Sequence, residues 1–219
     1  MKVYLIPGLG ADKRMYEKQM KIMPEATVLE HLAPIKGEKL NEYALRFAAL
    51  IDTSTPFILI GTSLGGIIAM ELSRLIKPDK IILIASVKDR SELPLFMRSM
   101  RYLNLHKLIS GNVFKRFNNL LAKRLDSRGD SSAAKLIKAM TNDADPHFID
   151  WAVNAIVQWQ PSQQYRSDII HIHGTNDQLF PFSKIKNAIL IKNGSHVMNI
   201  TMSEQVNRVL LEVLAESKV

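Results

Sequence analysis

Three residues, widely separated in the chain, have the side-chain types that acyl transfer requires. The sequence G-T-S-L-G at residues 61–65 has the G-x-S-x-G pattern that holds a nucleophilic serine between two glycines. A serine hydroxyl is a weak nucleophile until a histidine removes its proton, and a carboxylate must orient that histidine. Asp177 and His196 follow Ser63 in the order serine, acid, histidine. The sequence therefore predicts a catalytic triad of Ser63, Asp177 and His196.

The residues around Ser63 favour this interpretation over an incidental serine in a glycine-rich turn. An apolar run at residues 57–60 predicts a buried strand before the motif, and the pattern at residues 64–76 predicts a helix after it. A tight turn between the two leaves no room for large side chains on either side of the nucleophile, which explains Gly61 and Gly65. The turn also places Ser63 at a helix N-terminus, where free N–H groups favour developing negative charge.

Acyl transfer also needs two N–H donors for the oxyanion of its tetrahedral intermediate. We expect one donor to be the N–H of Leu64, directly after the nucleophile. The segment Pro-Gly-Leu-Gly at residues 7–10 ends the first predicted strand, and the N–H of Leu9 within it is the expected second donor. The alternative interpretation of this segment is a plain Pro-Gly turn.

Alternatives also exist for the acid and the base. Asp177 ends the sequence H-G-T-N-D at residues 173–177, where an aspartate often caps a turn. His196 could be a histidine of a surface loop without a catalytic role. Asp89, after a predicted strand at residues 80–85, is the alternative acid.

The elements that must position these residues alternate between strand and helix. Apolar runs predict six strands, at residues 2–6, 26–32, 57–60, 80–85, 168–173 and 188–191. Helical patterns lie between or after them, at residues 12–23, 40–51, 64–76 and from 203 onwards. The alternation predicts an α/β fold with a doubly wound, all-parallel sheet in the order 2-1-3-4-5-6. The loops after strands 1 and 3 then meet at the carboxyl edge, where ligands bind in such sheets.

Residues 87–167 interrupt this alternation, since one helix would suffice to connect the flanking strands. The stretch is amphipathic at residues 113–125, and Asp145-Pro146 has the pattern of a helix start. We therefore expect an α/β core of residues 1–86 and 168–219 and a helical cap of residues 87–167. Three aromatic residues of this segment could line an acyl pocket or belong to the core, namely Phe148, Trp151 and Trp159.

The net charge of +8 is concentrated in the first half of the predicted cap. Residues 87–127 hold nine lysines and arginines against three aspartates and glutamates, so they carry +6 of the total. The cluster includes Arg98, Arg101, Lys115, Arg116, Lys123 and Arg124. Such a cluster can favour an anionic substrate, nucleic acid or membrane surface, but solvated helix faces are the simpler interpretation. No known nucleic-acid module accompanies it, so we expect no nucleic-acid partner.

Composition excludes several other classes of site. The chain has no cysteine, and so neither disulfides nor thiolate metal sites. His171 and His173 share one face of a predicted strand, but no third ligand has suitable spacing, so we expect no metal. No apolar run reaches the roughly 18–20 residues that span a bilayer, and the first strand is too short for a signal peptide. We therefore expect no membrane span and a cytoplasmic location, while the oligomeric state stays open.

Taken together, the motifs at residues 7–10, 61–66, 173–177 and 194–196 resemble those of the α/β-hydrolase superfamily over nearly the whole chain. The resemblance implies a Ser-Asp-His triad and a cap between the sixth and seventh strands of the family. Two departures stand out. Pro7 occupies a position where the family usually has histidine, and the two N-terminal strands of the family have no counterpart.

The expected function is that of a serine hydrolase that cleaves a small carboxylic ester or thioester through an acyl-Ser63 intermediate, without a cofactor. Its partner would be a small-molecule acyl substrate. Two alternatives remain at this level. One is a non-catalytic small-molecule-binding protein of the same fold, and the other is a carbon–carbon hydrolase or lyase that uses the same triad.

Overall fold

Six parallel strands form the central sheet in a computed structural model, which describes residues 1–103, 111–127, 129–161 and 168–215. The spatial order is β2-β1-β3-β4-β5-β6, which confirms the predicted order. The strands are β1 (Lys2–Ile6), β2 (Thr27–Val28), β3 (Phe57–Thr62), β4 (Lys80–Ile84), β5 (Asp168–Gly174) and β6 (Ile189–Ile191). Every pairing is parallel, so the chain reverses its winding direction between β1 and β3.

Helices connect the strands and follow the last one. In the described residues they are α1 (Glu17–Met20), α2 (Leu40–Ala48), α3 (Leu64–Leu75), α4 (Leu95–Leu103), α5 (Gly111–Ser127), α6 (Ser131–Asp143), α7 (Pro146–Gln158), α8 (Met198–Thr201) and α9 (Ser203–Ala215). Short 3-10 turns occur at Lys13–Tyr16, Arg90–Glu92 and Phe182–Lys184.

The core lies on both faces of the sheet, as a continuous apolar strand sequence requires. Side chains alternate between the faces along a strand, so Phe57 and Leu59 of β3 join one apolar cluster while Ile58 and Ile60 join the other. The first cluster packs α2, α3 and α7 against the sheet. The second contains Tyr16 and residues of α9. Both faces are covered, which holds the carboxyl edge of the sheet in place.

Two predicted elements are shorter in the structure. The strand expected at residues 26–32 is a two-residue strand, because it lies at the edge of the sheet and its last bond to β1 is Leu29 N–H to the carbonyl of Leu5 (2.8 Å). The helix expected at residues 12–23 is divided into a 3-10 turn and the single turn of α1. The side chain of Asp12 accepts from the N–H of Arg14 and begins the tighter 3-10 turn.

Helices α4 to α7 lie between β4 and β5 in the chain. Arg90 joins two of them, because its guanidinium donates to the carbonyls of Val157 in α7, of Trp159 directly after it and of Arg98 in α4. Residues 104–110, 128 and 162–167 of the predicted cap lie outside the described residues. The division of the chain into core and cap stays a prediction.

Candidate active site

The turn between β3 and α3 holds Ser63 in a strained backbone conformation, with φ 53° and ψ −117°. The two flanking glycines permit it. A Cβ on Gly61 would lie 2.4 Å from the carbonyl oxygen of Gly65, and one on Gly65 would lie 2.0 Å from that of Ile6. No side chain fits at either position. A non-glycine residue at positive φ costs of order 1–3 kcal/mol, a strain that structures retain mostly at functional sites.

Ser63, His196 and Asp177 form one hydrogen-bonded chain. The Oγ of Ser63 lies 2.9 Å from Nε2 of His196, and Nδ1 of the same ring lies 2.8 Å from Oδ2 of Asp177. The side chain of His196 is 22% exposed, whereas that of Asp177 is fully buried. The structure thus brings together the three residues that the sequence singled out, although they lie in three separate loops.

The carboxylate of Asp177 is held by backbone donors as well as by His196. Its Oδ1 accepts from the N–H groups of Leu179 and Phe180, both at 2.9 Å. Burial alone would raise the pKa of Asp177, but the neighbouring His196 and the hydrogen bonds to the carboxylate outweigh it, so the pKa lies below the ordinary value. Asp177 is therefore ionised at neutral pH and orients the imidazole with a full negative charge.

Asp89 does not contact His196. Its Oδ1 accepts from the N–H of Ser91 at 2.7 Å and begins the 3-10 turn Arg90–Glu92. The geometry therefore favours Asp177 over Asp89 as the acid.

The loops that carry Asp177 and His196 pack backbone against backbone. The N–H of Asn176 donates to the carbonyl of Gly194 at 2.9 Å. A Cβ on Gly174 would lie 2.1 Å from that same carbonyl oxygen. This close approach, which only glycine allows at residue 174, fixes the separation of the acid and the histidine.

The loop at residues 7–10 lies beside Ser63. Because Ile6 pairs with Gly61 in the ladder, the ends of β1 and β3 are neighbours, and a Cβ on Gly8 would lie 3.4 Å from Cβ of Ser63. Leu64 is the first residue of α3, so its N–H has no acceptor within the helix. Leu9, in the loop itself, is half-buried and packs against the core. Both expected donors thus belong to the two segments that flank Ser63.

Comparisons with known proteins agree with this architecture. No family model matches the sequence, and no curated protein matches it. Among solved structures, MenH from S. aureus aligns with 100% of this chain and 95% of its own, at a TM-score of 0.79 and 14% identity. A thermophilic esterase from Thermogutta terrifontis aligns with 99% of this chain and 90% of its own (TM-score 0.75, 17% identity). An enol-lactonase from Burkholderia xenovorans aligns with 98% of this chain and 91% of its own (TM-score 0.73, 16% identity).

The chain has the α/β-hydrolase fold. The fold implied by the sequence motifs is therefore confirmed. At this level of identity the likeness extends to architecture and leaves the reaction to be argued from the site.

One residue beside the site carries no sequence signal. His31 follows β2, and its Nε2 lies 3.1 Å from the carbonyl oxygen of Gly8 in the 7–10 loop. The ring stacks on Phe148 of α7 with centroids 4.5 Å apart. Burial lowers the pKa of His31 to about 4, so the ring is neutral at pH 7 and its Nε2–H can donate to Gly8. Neither spacing nor composition distinguishes this histidine from one in an ordinary loop.

Three side chains of the predicted cap approach the 7–10 loop of this α/β-hydrolase fold. A Cβ on Gly10 would lie 2.6 Å from the ring of Phe114 and 3.8 Å from the amide nitrogen of Asn118, both on α5. Phe148 approaches from α7 through its stacking on His31. Helix α5 therefore lies against the loop that follows β1, and α7 lies against His31, which bonds the carbonyl of Gly8 in that loop.

A cleft of about 300 Å³ lies beside the same loop. Its wall includes Gly10, His31 and Phe148 together with four carboxylate side chains, those of Asp12, Glu30, Asp143 and Asp145. Arg14 bridges Asp12 and Asp143 in this region.

The six basic residues named from the sequence do not belong to the described wall of this cleft. Arg116, Lys123 and Arg124 are exposed, while Arg98, Arg101 and Lys115 are partly buried. Nζ of Lys115 donates to the carbonyl of Asn142 at 3.1 Å. The wall of the cleft is thus acidic, in contrast to the cluster as a whole.

The aromatic residues singled out in the sequence belong largely to the core. Trp159 is 3% exposed and its indole N–H donates to Oε1 of Glu71 at 2.9 Å. Trp151 donates to the carbonyl of Glu38 and packs on Tyr43. Phe148 is buried but also contributes to the cleft. Phe148 is thus the one of the three that lies beside the 7–10 loop.

His171 and His173 are buried in β5, with ring centroids 5.2 Å apart. Burial lowers the pKa of His171 to about 3, and burial also lowers that of His173. Nε2 of His173 lies 2.8 Å from the carbonyl oxygen of Phe180, so this ring supports the turn that holds Asp177. In the described part of the chain, no three histidine, aspartate or glutamate side chains are grouped to hold a metal ion. Nor do its helices include one long and apolar enough to cross a bilayer.

Proposed function

We propose that this chain is a serine hydrolase that cleaves a carboxylic ester or thioester through an acyl-Ser63 intermediate. The observation that carries the proposal is the continuous chain of hydrogen bonds from Ser63 through His196 to the buried Asp177. A small-molecule binder needs a pocket but no such chain, so the arrangement favours catalysis over binding alone.

The ionised carboxylate of Asp177 assigns the proton positions on His196. Asp177 is ionised and only accepts, so the Nδ1 of His196 carries the proton that it shares with Oδ2. Nε2 is then unprotonated, and its lone pair faces the Oγ of Ser63. This is the tautomer that a general base requires.

In the first half-reaction, the Oγ of Ser63 attacks the carbonyl carbon of the substrate while its proton passes to Nε2 of His196. The carbonyl electrons move to oxygen, and the N–H groups of Leu9 and Leu64 stabilise the resulting oxyanion. As the oxyanion collapses, the bond to the leaving alcohol or thiol breaks and His196 returns the proton to it. The products are the free alcohol or thiol and acyl-Ser63.

In the second half-reaction, a water molecule takes the place of the leaving group. His196 removes a proton from the water as its oxygen attacks the acyl carbon, and the same two N–H groups hold the oxyanion. The bond to Ser63 Oγ then breaks and His196 returns the proton to Ser63. The carboxylic acid leaves and the enzyme is restored without a cofactor.

The proposal includes a cap formed by residues 87–167 over the acyl group. Its support is the close approach of Phe114 to Gly10, which places α5 against the 7–10 loop, and the stacking of Phe148 on His31, which places α7 against a residue that bonds this loop. A cap that places apolar side chains over the acyl group excludes water during reaction. Two structural neighbours are described as an esterase and an enol-lactonase, and both names denote enzymes that act on esters, the second on cyclic ones.

A fluorophosphonate probe, which reacts only with an activated serine, tests the proposal. We expect the wild type to be labelled and S63A to be neither labelled nor active on any ester or thioester that the wild type hydrolyses. The matched control is S73A, because Ser73 is also a buried serine but lies near the end of α3, away from Ser63, where its hydroxyl donates to the carbonyl of Met70. Labelling of S63A, or absence of labelling in the wild type, contradicts the mechanism.

A further inference from the structure

The hydroxyl of Tyr16 joins the two segments that flank the candidate active site. Tyr16 is fully buried, and its Oη lies 2.7 Å from the carbonyl oxygen of Ile6 and 2.9 Å from Oγ1 of Thr62. The carbonyl can only accept, so the single tyrosine proton goes to Ile6 and the hydroxyl of Thr62 donates to Tyr16. The three groups form one directed chain.

The two partners of Tyr16 occupy decisive places. Ile6 is the last residue of β1 and directly precedes the 7–10 loop, while Thr62 is the last residue of β3 and directly precedes Ser63. Pro7 has no N–H and therefore cannot extend the backbone ladder beyond Ile6. The Tyr16 hydroxyl thus bridges β1 and β3 at the point where the backbone ladder ends.

The segment that carries Tyr16 is itself anchored. The side-chain amide of Asn199 donates to the carbonyl of Met15, and that of Gln19 donates to the carbonyl of Asn199. Asn199 lies in α8, three residues after His196, and is fully buried. Burial also raises the pKa of Tyr16, so its hydroxyl stays protonated and remains a donor. The bridge is therefore held in one position relative to the histidine loop.

We propose that Tyr16 is a positioning residue that sets the separation between the two oxyanion donors, the N–H groups of Leu9 and Leu64. This rests on the proposed function, because it assigns a role in the same tetrahedral intermediate. One donor follows Ile6 by three residues and the other follows Thr62 by two, so a shift between these strand ends changes the distance between the donors. Tyr16 does not touch the substrate.

Y16F removes only the bridging oxygen, and Y4F is the matched control. Tyr4 is also a buried tyrosine, and its hydroxyl accepts from the N–H of Asp52, which precedes β3 and so lies towards the amino edge of the sheet, away from Ser63. Oxyanion stabilisation exists only in the transition state, so Y16F should lower kcat with little change in KM. Loss of one donor costs about 10²–10³ in kcat, and a displaced donor should cost about tenfold.

The discriminating measurement is the inhibition constant of a trifluoromethyl ketone analogue of the substrate, whose adduct with Ser63 carries an oxyanion. We expect Y16F to weaken this inhibitor by the same factor by which kcat falls, and Y4F to leave both at about the wild-type value. If Y16F and Y4F lower the melting temperature alike and both retain wild-type kcat, the hydroxyl is only structural and the proposal is overturned.

T62V provides a second route should Y16F fail to fold, because valine matches the shape of the threonine and leaves Tyr16 bonded to Ile6. We expect kcat and inhibitor affinity to fall together here too, by a smaller factor, and a T62V enzyme with wild-type values overturns the proposal.

The proposed serine mechanism and the proposed role of Tyr16 would fail with different results. If the serine mechanism is wrong, the wild type is not labelled by fluorophosphonate and both proposals fall. If only the role of Tyr16 is wrong, the wild type is labelled and Y16F behaves like Y4F.

Discussion

At the scale of single residues, the site depends on which of two plausible carboxylates reaches the histidine. Asp89 and Asp177 both follow predicted strands, and sequence alone left both open. The structure separates them by their hydrogen bonds, since Asp89 caps a 3-10 turn while Asp177 bonds Nδ1 of His196. His31, which bonds the carbonyl of Gly8 in the 7–10 loop, and Tyr16, which bonds the carbonyl of Ile6 directly before it, were missed because a side chain that bonds a carbonyl leaves no pattern in the sequence.

Substitution of the two aspartates distinguishes their roles. D177N should reduce turnover by about 10⁴, because the amide can donate to Nδ1 and so stabilise the wrong tautomer of His196. D89N should retain activity, since asparagine caps the turn as well as aspartate does. Turnover of one ester by both purified variants, after circular dichroism has established that they fold, is the measurement. Loss of activity in D89N with retention in D177N would reverse the assignment.

At the scale of elements, the turn between β3 and α3 requires the backbone of α3 to touch that of β1. Gly65 is the contact, since a Cβ there would meet the carbonyl oxygen of Ile6 at 2.0 Å. Neither atom belongs to a flexible side chain, so the helix itself would have to move away from the sheet. The glycine motif is thus a packing requirement between three elements as well as a local feature of the turn.

G65A should therefore destabilise the fold by more than about 3 kcal/mol or prevent folding. G37A is the control, because Gly37 has φ +81° but no atom within 4 Å of its Cβ position, so that only the backbone strain of about 1 kcal/mol applies. Urea unfolding of both variants measures the difference. Equal free energies of unfolding would show that the close approach at residue 65 is not rigid.

At the scale of the whole molecule, buried neutral histidines make the free energy of unfolding decrease as the pH falls. Burial lowers the pKa of His31 to about 4 and that of His171 to about 3, whereas an unfolded histidine titrates near 6.5. Between pH 6.5 and about 4 the unfolded chain therefore binds more protons than the folded one, and stability falls as pH falls. Asp177 acts in the same direction below about pH 4. Its pKa is lower in the folded chain than in the unfolded one, so the ionised carboxylate stabilises the fold, and this stability is lost as the carboxylate is protonated.

We expect the free energy of unfolding of the wild type to decrease steadily from pH 6.5 to pH 4. H171Q should lose about 3 kcal/mol less over this interval, whatever its stability at pH 7, because the buried titrating ring is gone. H147Q, which changes an exposed histidine, is the control and should follow the wild type. Urea unfolding at half-unit pH steps gives the slopes, and identical slopes for H171Q and the wild type would refute the role of His171.

The charge distribution of the molecule leads to a further expectation about substrates. Although residues 87–127 are strongly basic, the side chains on α5 that meet Gly10 are Phe114 and Asn118, and the nearby cleft is lined by carboxylates. We therefore expect no preference for anionic substrates. The ratio of kcat/KM for matched anionic and neutral esters should not exceed one at 0.1 M salt and should not fall at 1 M salt, as the screening length decreases from about 10 Å to about 3 Å. A large ratio that collapses with salt would instead indicate steering by the basic cluster.

The sequence by itself determined the sheet, its order and the candidate nucleophile. Buried parallel strands are continuous apolar runs, right-handed crossovers leave few orders open, and the glycines at residues 61 and 65 identify a turn that no other residue type fits. The apolar pattern predicted too long a strand at residues 26–32 and too long a helix at residues 12–23. It does not show that the strand is hydrogen-bonded on one side only, or that the side chain of Asp12 begins a 3-10 turn.

Only the tertiary structure showed which aspartate contacts His196 and which side chains bond the 7–10 loop and the strand end before it. Asp177 meets His196 across 19 residues, and the hydroxyl of Tyr16 meets Thr62 across 46. Such contacts depend on how loops at one edge of the sheet are packed against each other. When several charged or polar residues lie at the same edge of the sheet, their spacing along the chain does not determine which of them are close in space.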